Sequence, residues 1–164
     1  MTLLITDANV FIDLEEGELL AHLFGIGRRI ATPDLLFHDE LSDAHGHLVA
    51  LGLELLVLAP ETLLRVQALA ARHRRPGRLD LAALAAAEQE RCPLVTGDAA
   101  LRDAASAEGV EVVGTLWVCA EMVRHGTLTV DDLRVAYAAM RRAGRRLPWA
   151  EVEAQLRALG RGRA

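Results

Sequence analysis

The sequence predicts an α/β fold of three layers, with helices on both faces of a central parallel sheet and further helices at the C-terminal end. Three observations predict it. Short apolar or β-branched runs alternate with helical segments of ten or more residues, the pattern of strand–helix–strand crossovers. Two of those runs, Leu3-Leu4-Ile5-Thr6-Asp7 and Pro93-Leu94-Val95-Thr96-Gly97-Asp98, end in an acid where a helical pattern begins. From Thr127 onward the strand pattern stops and only helical periodicity continues.

Taken in order, residues 3–7 read as a buried strand and 8–25 as a helix with a break near Gly17. A short strand over 29–32 leads to a helical block over 34–51, then a strand over 53–59 (Leu-Glu-Leu-Leu-Val-Leu-Ala). Pro60 suits the first turn of a helix over 60–74. The loop Arg74-Arg75-Pro76-Gly77-Arg78 precedes an Ala-rich helix from Asp80 to Arg91. Strand 93–96, helix 98–108, strand 110–113 and helix 115–125 complete the alternation. In the tail, Thr129-Val130-Asp131-Asp132 resembles a capping box with Asp for Glu, opening a helix over 130–143. Pro148 introduces another over 148–159, and residues 160–164 are expected to fray. No repeat or linker calls for a second domain. Residues 127–164 read as an extension packed on the domain formed by residues 1–126.

Composition narrows the function. A chain of 164 residues makes one domain with a true core. It is 52% hydrophobic, with a mean hydropathy of +0.21, yet no apolar run approaches the ~18 residues needed to span a membrane. No basic segment followed by an apolar one opens the chain, so a cytoplasmic location is expected. Cys92 and Cys119 have no partner at zinc-ligand spacing and read as reduced packing residues. A net charge of −5 argues against a simple electrostatic binder of nucleic acid. It does not argue against a nucleic-acid enzyme, because acids around a divalent cation do not repel phosphate once the cation is bound. Aromatic residues are 4% of the chain, so stacking platforms for single-stranded bases are scarce.

Four acids can converge on one sheet edge. Asp7 and Asp98 follow strands, Asp80 opens the Ala-rich helix, and Glu40 lies in the helical block after Thr32-Pro33-Asp34-Leu35-Leu36-Phe37-His38-Asp39. Clustered carboxylates repel one another unless a cation sits among them. Mg²⁺ and Mn²⁺ take oxygen ligands and suit such a cluster. Taken singly, Asp7, Asp80 and Asp98 each also read as a helix N-cap, and Glu40 as a solvated helix residue. The case rests on the set.

These residues, in this order, resemble a PIN-domain protein: Asp-x-Asn after the first strand, the Glu after Thr-Pro-Asp-Leu-Leu-Phe, the Leu-Asp-Leu-Ala-Ala-Leu-Ala helix start and the Leu-Val-Thr-Gly-Asp strand end. The resemblance covers residues 3–118. Val113-Gly114-Thr115-Leu116-Trp117 and the helical tail look like the C-terminal part of some bacterial PIN proteins. It implies a metal-dependent ribonuclease, often the toxin of a bacterial toxin–antitoxin pair. By matching position, Asp7, Glu40, Asp80 and Asp98 would be the catalytic, metal-binding acids, supported through hydrogen bonds by Asn9 and Thr96. Asp39 and Asp43 compete with Glu40 for the second position, and Asp103, on the helix after Asp98, could join the set but reads first as an exposed residue. The cofactor would be Mg²⁺ or Mn²⁺. A water activated by the cation would attack phosphorus in line. The partners implied are RNA, a small antitoxin protein and a second copy of the chain in a homodimer, with no membrane.

Other signals are weaker. Arg74, Arg75 and Arg78 form a basic loop beside Asp80 that could steer RNA phosphates, or simply a solvated helix end. Arg141, Arg142, Arg145 and Arg146 read as surface or partner contacts. His45-Gly46-His47, with His38 nearby, lacks the spacing of a transition-metal site. Gly25-Ile26-Gly27 precedes a strand instead of following one, which rejects a dinucleotide fingerprint. Phe37 and Trp117 read as core, and the apolar tail helices could cover the sheet edge or form a dimer face. Two other functions compete. A phosphohydrolase with Asp7 as nucleophile would want an acid two residues on, where Asn9 stands. A non-catalytic nucleic-acid-binding or scaffolding module would keep the fold and bind no metal.

Overall fold

The computed structural model describes residues 2–162. Within them, five short strands form one sheet: β1 (Leu3–Thr6), β2 (Arg29–Pro33), β3 (Glu54–Leu56), β4 (Leu94–Val95) and β5 (Val112–Val113). Their order is β3-β2-β1-β4-β5, and every pairing is parallel. Ile5 sits at the centre, paired with Ala31 on one side and Leu94 on the other. Leu4 and Ile5 are wholly buried, as a strand covered on both faces requires.

Each crossover carries helices. α1 (Ala8–Glu16) and α2 (Leu20–Leu23) join β1 to β2, and the expected break falls at Gly17 and Glu18. A Cβ on Gly17 would come within 2.6 Å of Met140 Cε, so glycine there lets the tail pack close. The block 34–51, expected as one helix, is divided: α3 (Asp34–Leu36), a π-helical turn (Phe37–Leu41), α4 (Ser42–His45) and α5 (His47–Leu51). The Ser42 N–H bonds to Phe37 O, and the Ser42 hydroxyl donates to His38 O at 2.9 Å, which opens the turn. Glu40 lies on that turn.

α6 (Pro60–Arg72) and α7 (Arg78–Glu90) join β3 to β4, and α8 (Ala99–Ala107) joins β4 to β5. α7 starts two residues earlier than the sequence predicts, with Gly77 as its cap, so Arg78 belongs to the helix and not to the loop. α9 (Thr115–Arg124), α10 (Val130–Arg142) and α11 (Trp149–Arg161) complete the chain. Gly160 and Arg161 are helical where fraying was expected, and residues 163–164 of that expectation lie outside the described residues.

α7 packs on β1, β2 and β4, with α6 and α8 beside it. The right-handed sense of parallel crossovers puts α1 on the opposite face, where it meets α9. The tail resolves one open point. α10 packs on α1 and α9, and α11 on α9 and α10. Leu133, Ala136, Tyr137, Met140, Val152 and Leu156 are buried in doing so, which spends the tail's apolar face within the chain. Phe37 is core, Trp117 is half-buried against it, and Cys92 and Cys119 are free thiols. Among the described residues no helix is long and apolar enough to cross a membrane.

Candidate active site

The strand order sets the position of the crevice. From β1 the chain moves toward β2 and β3, whereas from β4 it moves the other way, to β5. The carboxyl ends of β1 and β4 therefore flank the point where the connections diverge, and a crevice opens there in parallel sheets. Asp7 and Asp98 follow those two strands directly.

Asp7 is the N-cap of α1. Its Oδ1 accepts from Val10 N at 3.1 Å, its Oδ2 accepts a short hydrogen bond from the Thr96 hydroxyl, and the side chain is wholly buried. Burial pushes its pKa up from 3.8 to about 7, against the two hydrogen bonds, and the charges of Asp80 and Asp13 add to the rise. Asp98 caps α8 in the same way, accepting from Leu101 N at 2.8 Å. Thr96 joins the two: its hydroxyl donates to Asp7 and accepts from Asp98 N at 3.1 Å. On the other side, Thr32 Oγ1 donates to Thr6 O at 2.9 Å and fixes the end of β1.

Asp80 is not a cap. It is the third residue of α7 and reaches back to accept from Gly77 N at 3.1 Å. Burial raises its pKa, Gly77 opposes this, and the charge of Asp98 raises it further. Glu40, though exposed, is also raised, by partial desolvation first and then by the charges of Asp80 and Asp39. Asp80 is thus the centre of the set: its charge is felt by Asp7 and by Glu40, and it feels Asp98. Asp39, next to Glu40, turns to an apolar cleft with Leu35, Leu63 and Arg78. Asp43 is exposed, and Asp103 is exposed and paired with Arg75 at 3.1 Å.

Elsewhere several of the less exposed acids are paired. Asp13 is matched by Arg145, Glu88 by Arg65, Glu121 by Arg124, and Glu108 by Arg65, Arg72 and His73. His45, buried, pairs with Glu15 and leaves the histidine pair no common ligand geometry with His47. Among the described residues, Asp7, Glu40, Asp80 and Asp98 have no basic partner. An all-oxygen, mutually repelling set fits a hard divalent cation in its chemistry. No three His, Cys, Asp or Glu side chains among the described residues stand close enough to ligate one ion directly. The set fits an ion that keeps several of its waters, as Mg²⁺ does.

Around the acids, the sequence expectations divide. Asn9 is exposed and lines the cleft beside Asp98, but among the described residues its side chain makes no hydrogen bond to the acids. Arg74 and Arg75 line a shallow depression against α8, and Arg78 faces the apolar cleft with Asp39. The sequence reading missed the tail's contribution. Arg145 and Arg146 line the cleft with Asn9, Gly97 and Asp98, and Arg145 Nε donates to Asp13 Oδ1 at 2.6 Å. Asp13 was legible as an acid on the core-facing side of α1, three residues after buried Val10.

Comparison with known proteins agrees with this layout. No curated protein sequence matches the chain. The family model described as a PIN domain matches residues 3–161, the helical tail included. With a parallel sheet that carries acids at the ends of β1 and β4, and a family match over nearly its whole length, the chain belongs to the PIN-domain family.

Proposed function

We propose that the chain is a divalent-cation-dependent ribonuclease that hydrolyses RNA phosphodiester bonds, with Asp7, Glu40, Asp80 and Asp98 as its acids and residues 127–164 as part of the same domain. One observation carries this reading: buried Asp7, half-buried Asp80 and Asp98 and exposed Glu40 stand near the diverging strand ends with no basic partner, whereas the other buried acids, Asp13 and Glu121, are paired with arginines. The PIN-domain match supports a nuclease-type fold. Bound Mg²⁺ or Mn²⁺ would supply an activated water and offset charge on the phosphodiester.

The residues' own work follows from their positions. Asp7, half protonated near neutral pH when alone, would give up its proton on taking a cation. Thr96 ties the Asp7 carboxyl to the backbone N–H of Asp98 through its one hydroxyl. Asp80 and Glu40 close the set from α7 and the π-helical turn. The finer reading, a toxin held in check by a small antitoxin, rests on the family resemblance, as does a homodimer.

The test is cleavage of structured and unstructured RNA with Mn²⁺, Mg²⁺ or chelator. Asp98→Asn, Asp80→Asn and Glu40→Gln are expected to lose roughly a hundredfold or more of activity, and Asp39→Asn little. Full activity in chelator, or in the three acid variants, would remove this site from the reaction.

A further inference from the structure

Two clefts meet on the tail side of the acids. The first, of about 480 Å³, holds Asn9, Asp98 and Arg145. The second, of about 210 Å³, runs over Gly114 and Thr115 to Arg102 and Trp117. They share Asp13, Gly97 and Arg146, so they form one groove from the end of β4 across β5 to the α10–α11 turn.

Arg145 and Arg146 divide their tasks. Arg145 is committed to Asp13, which also accepts from Thr115 Oγ1 at 3.2 Å. Its backbone N–H closes the end of α10 on Met140 O at 3.0 Å, after Gly144 turns the chain at φ +80°. Leu147 is buried on the other side. Arg146 is therefore held between two anchored neighbours, is itself exposed, and among the described residues has no acid partner. Arg102 is likewise exposed and unpaired among the described residues, and a Cβ on Gly114 would lie 3.4 Å from its Nη1, so glycine lets it lie across the strand ends. Glu151 is the opposing charge on this wall, since Asp13 is already matched by Arg145.

We propose that this groove is a phosphate subsite for the RNA strand flanking the scissile bond, with Arg146 and Arg102 each holding a backbone phosphate. The proposal rests on the ribonuclease reading for its ligand. It gives the helical tail a substrate-binding role, with Asp13 and Arg145 as positioning residues. Two guanidiniums on fixed backbone beside an acidic site would hold the strand's charge where the acids cannot.

The test is binding, kept apart from cleavage. The full chain carrying Asp98→Asn, which retains a favoured N-cap, is titrated with Mg²⁺ and fluorescent single-stranded RNA from about 50 to about 200 mM salt. Adding Arg146→Ala or Arg102→Ala should weaken binding roughly three- to tenfold and lower the log K against log salt slope by about 0.7. Arg134→Ala, an exposed α10 residue outside both clefts, should change neither. An unchanged slope in Arg146→Ala, an equal loss in Arg134→Ala, or no binding by the Asp98→Asn chain overturns the subsite. Arg146-dependent binding by a wild-type chain that never cleaves would sink the nuclease reading alone. Cleavage and binding indifferent to both arginines would sink the subsite alone.

Discussion

Asp7→Asn should make the metal-free protein more stable in mild alkali and less stable in acid. The wild-type carboxyl is moved from 3.8 to about 7, and at about 1.4 kcal/mol per pH unit that amounts to about 4 kcal/mol. The sign follows from proton counting. Between those two values the folded chain holds a proton that the unfolded chain has released, so stability falls as pH rises. The favourable state is complete below about pH 4 and lost above about pH 7. Asparagine does not titrate and escapes this loss, but where the protonated acid sets a hydroxyl oxygen against Thr96 the amide sets an NH₂ group, and refitting that contact costs about 1–2 kcal/mol. The variant should therefore be about 2 kcal/mol more stable near pH 8, a rise of about 4–8 °C in Tm. Below about pH 5 the order reverses, because wild-type Asp7 is then the neutral acid and only the refitted Thr96 contact separates the two chains. Urea unfolding with chelator across this range reads the crossing directly. Parallel stability curves for the two proteins would refute the reasoning. With chelator replaced by Mg²⁺, the wild-type chain should regain stability and Asp7→Asn should not, since only an ion that binds the folded state shifts the balance.

Two further outcomes follow from named contacts. Thr96→Val keeps the shape but removes the hydroxyl between Asp7 and Asp98 N; cleavage should fall about tenfold or more while Thr96→Ser stays near wild type, measured on one RNA substrate. Arg145→Ala leaves Asp13 buried beside Thr115 alone and should cost about 2 kcal/mol in urea unfolding, with Asp13→Asn in the same chain restoring part of it.

The sheet and the strand-end acids were legible because both follow local rules. Period and length mark β1 and β4, and an acid after each strand also caps the next helix. The capping role read for Asp80 as an alternative does not hold: Gly77 is the cap, and Asp80 reaches back to it from the third position. The 34–51 block read as one helix because its apolar spacing is helical, whereas Ser42 bonding back to His38 opens a π turn that no spacing encodes. Arg145 and Arg146 stayed hidden for a different reason. Asp13, the partner of Arg145, lies 132 residues away from it, and nothing in either neighbourhood names the other.

The same separations bear on when the cluster of acids can form. The Asp7–Thr96 hydrogen bond joins residues 89 apart, and β1 has β4 as one of its neighbours in the sheet. A chain emerging from the ribosome can form β1, α1 and β2 early, but it cannot assemble the acids until β4 arrives. The arginine wall waits longer still, until residue 146 has folded back on α1. On the ribonuclease reading, a truncated or half-made chain of this kind would be inert toward RNA, and the parallel topology would act as a timer set by synthesis.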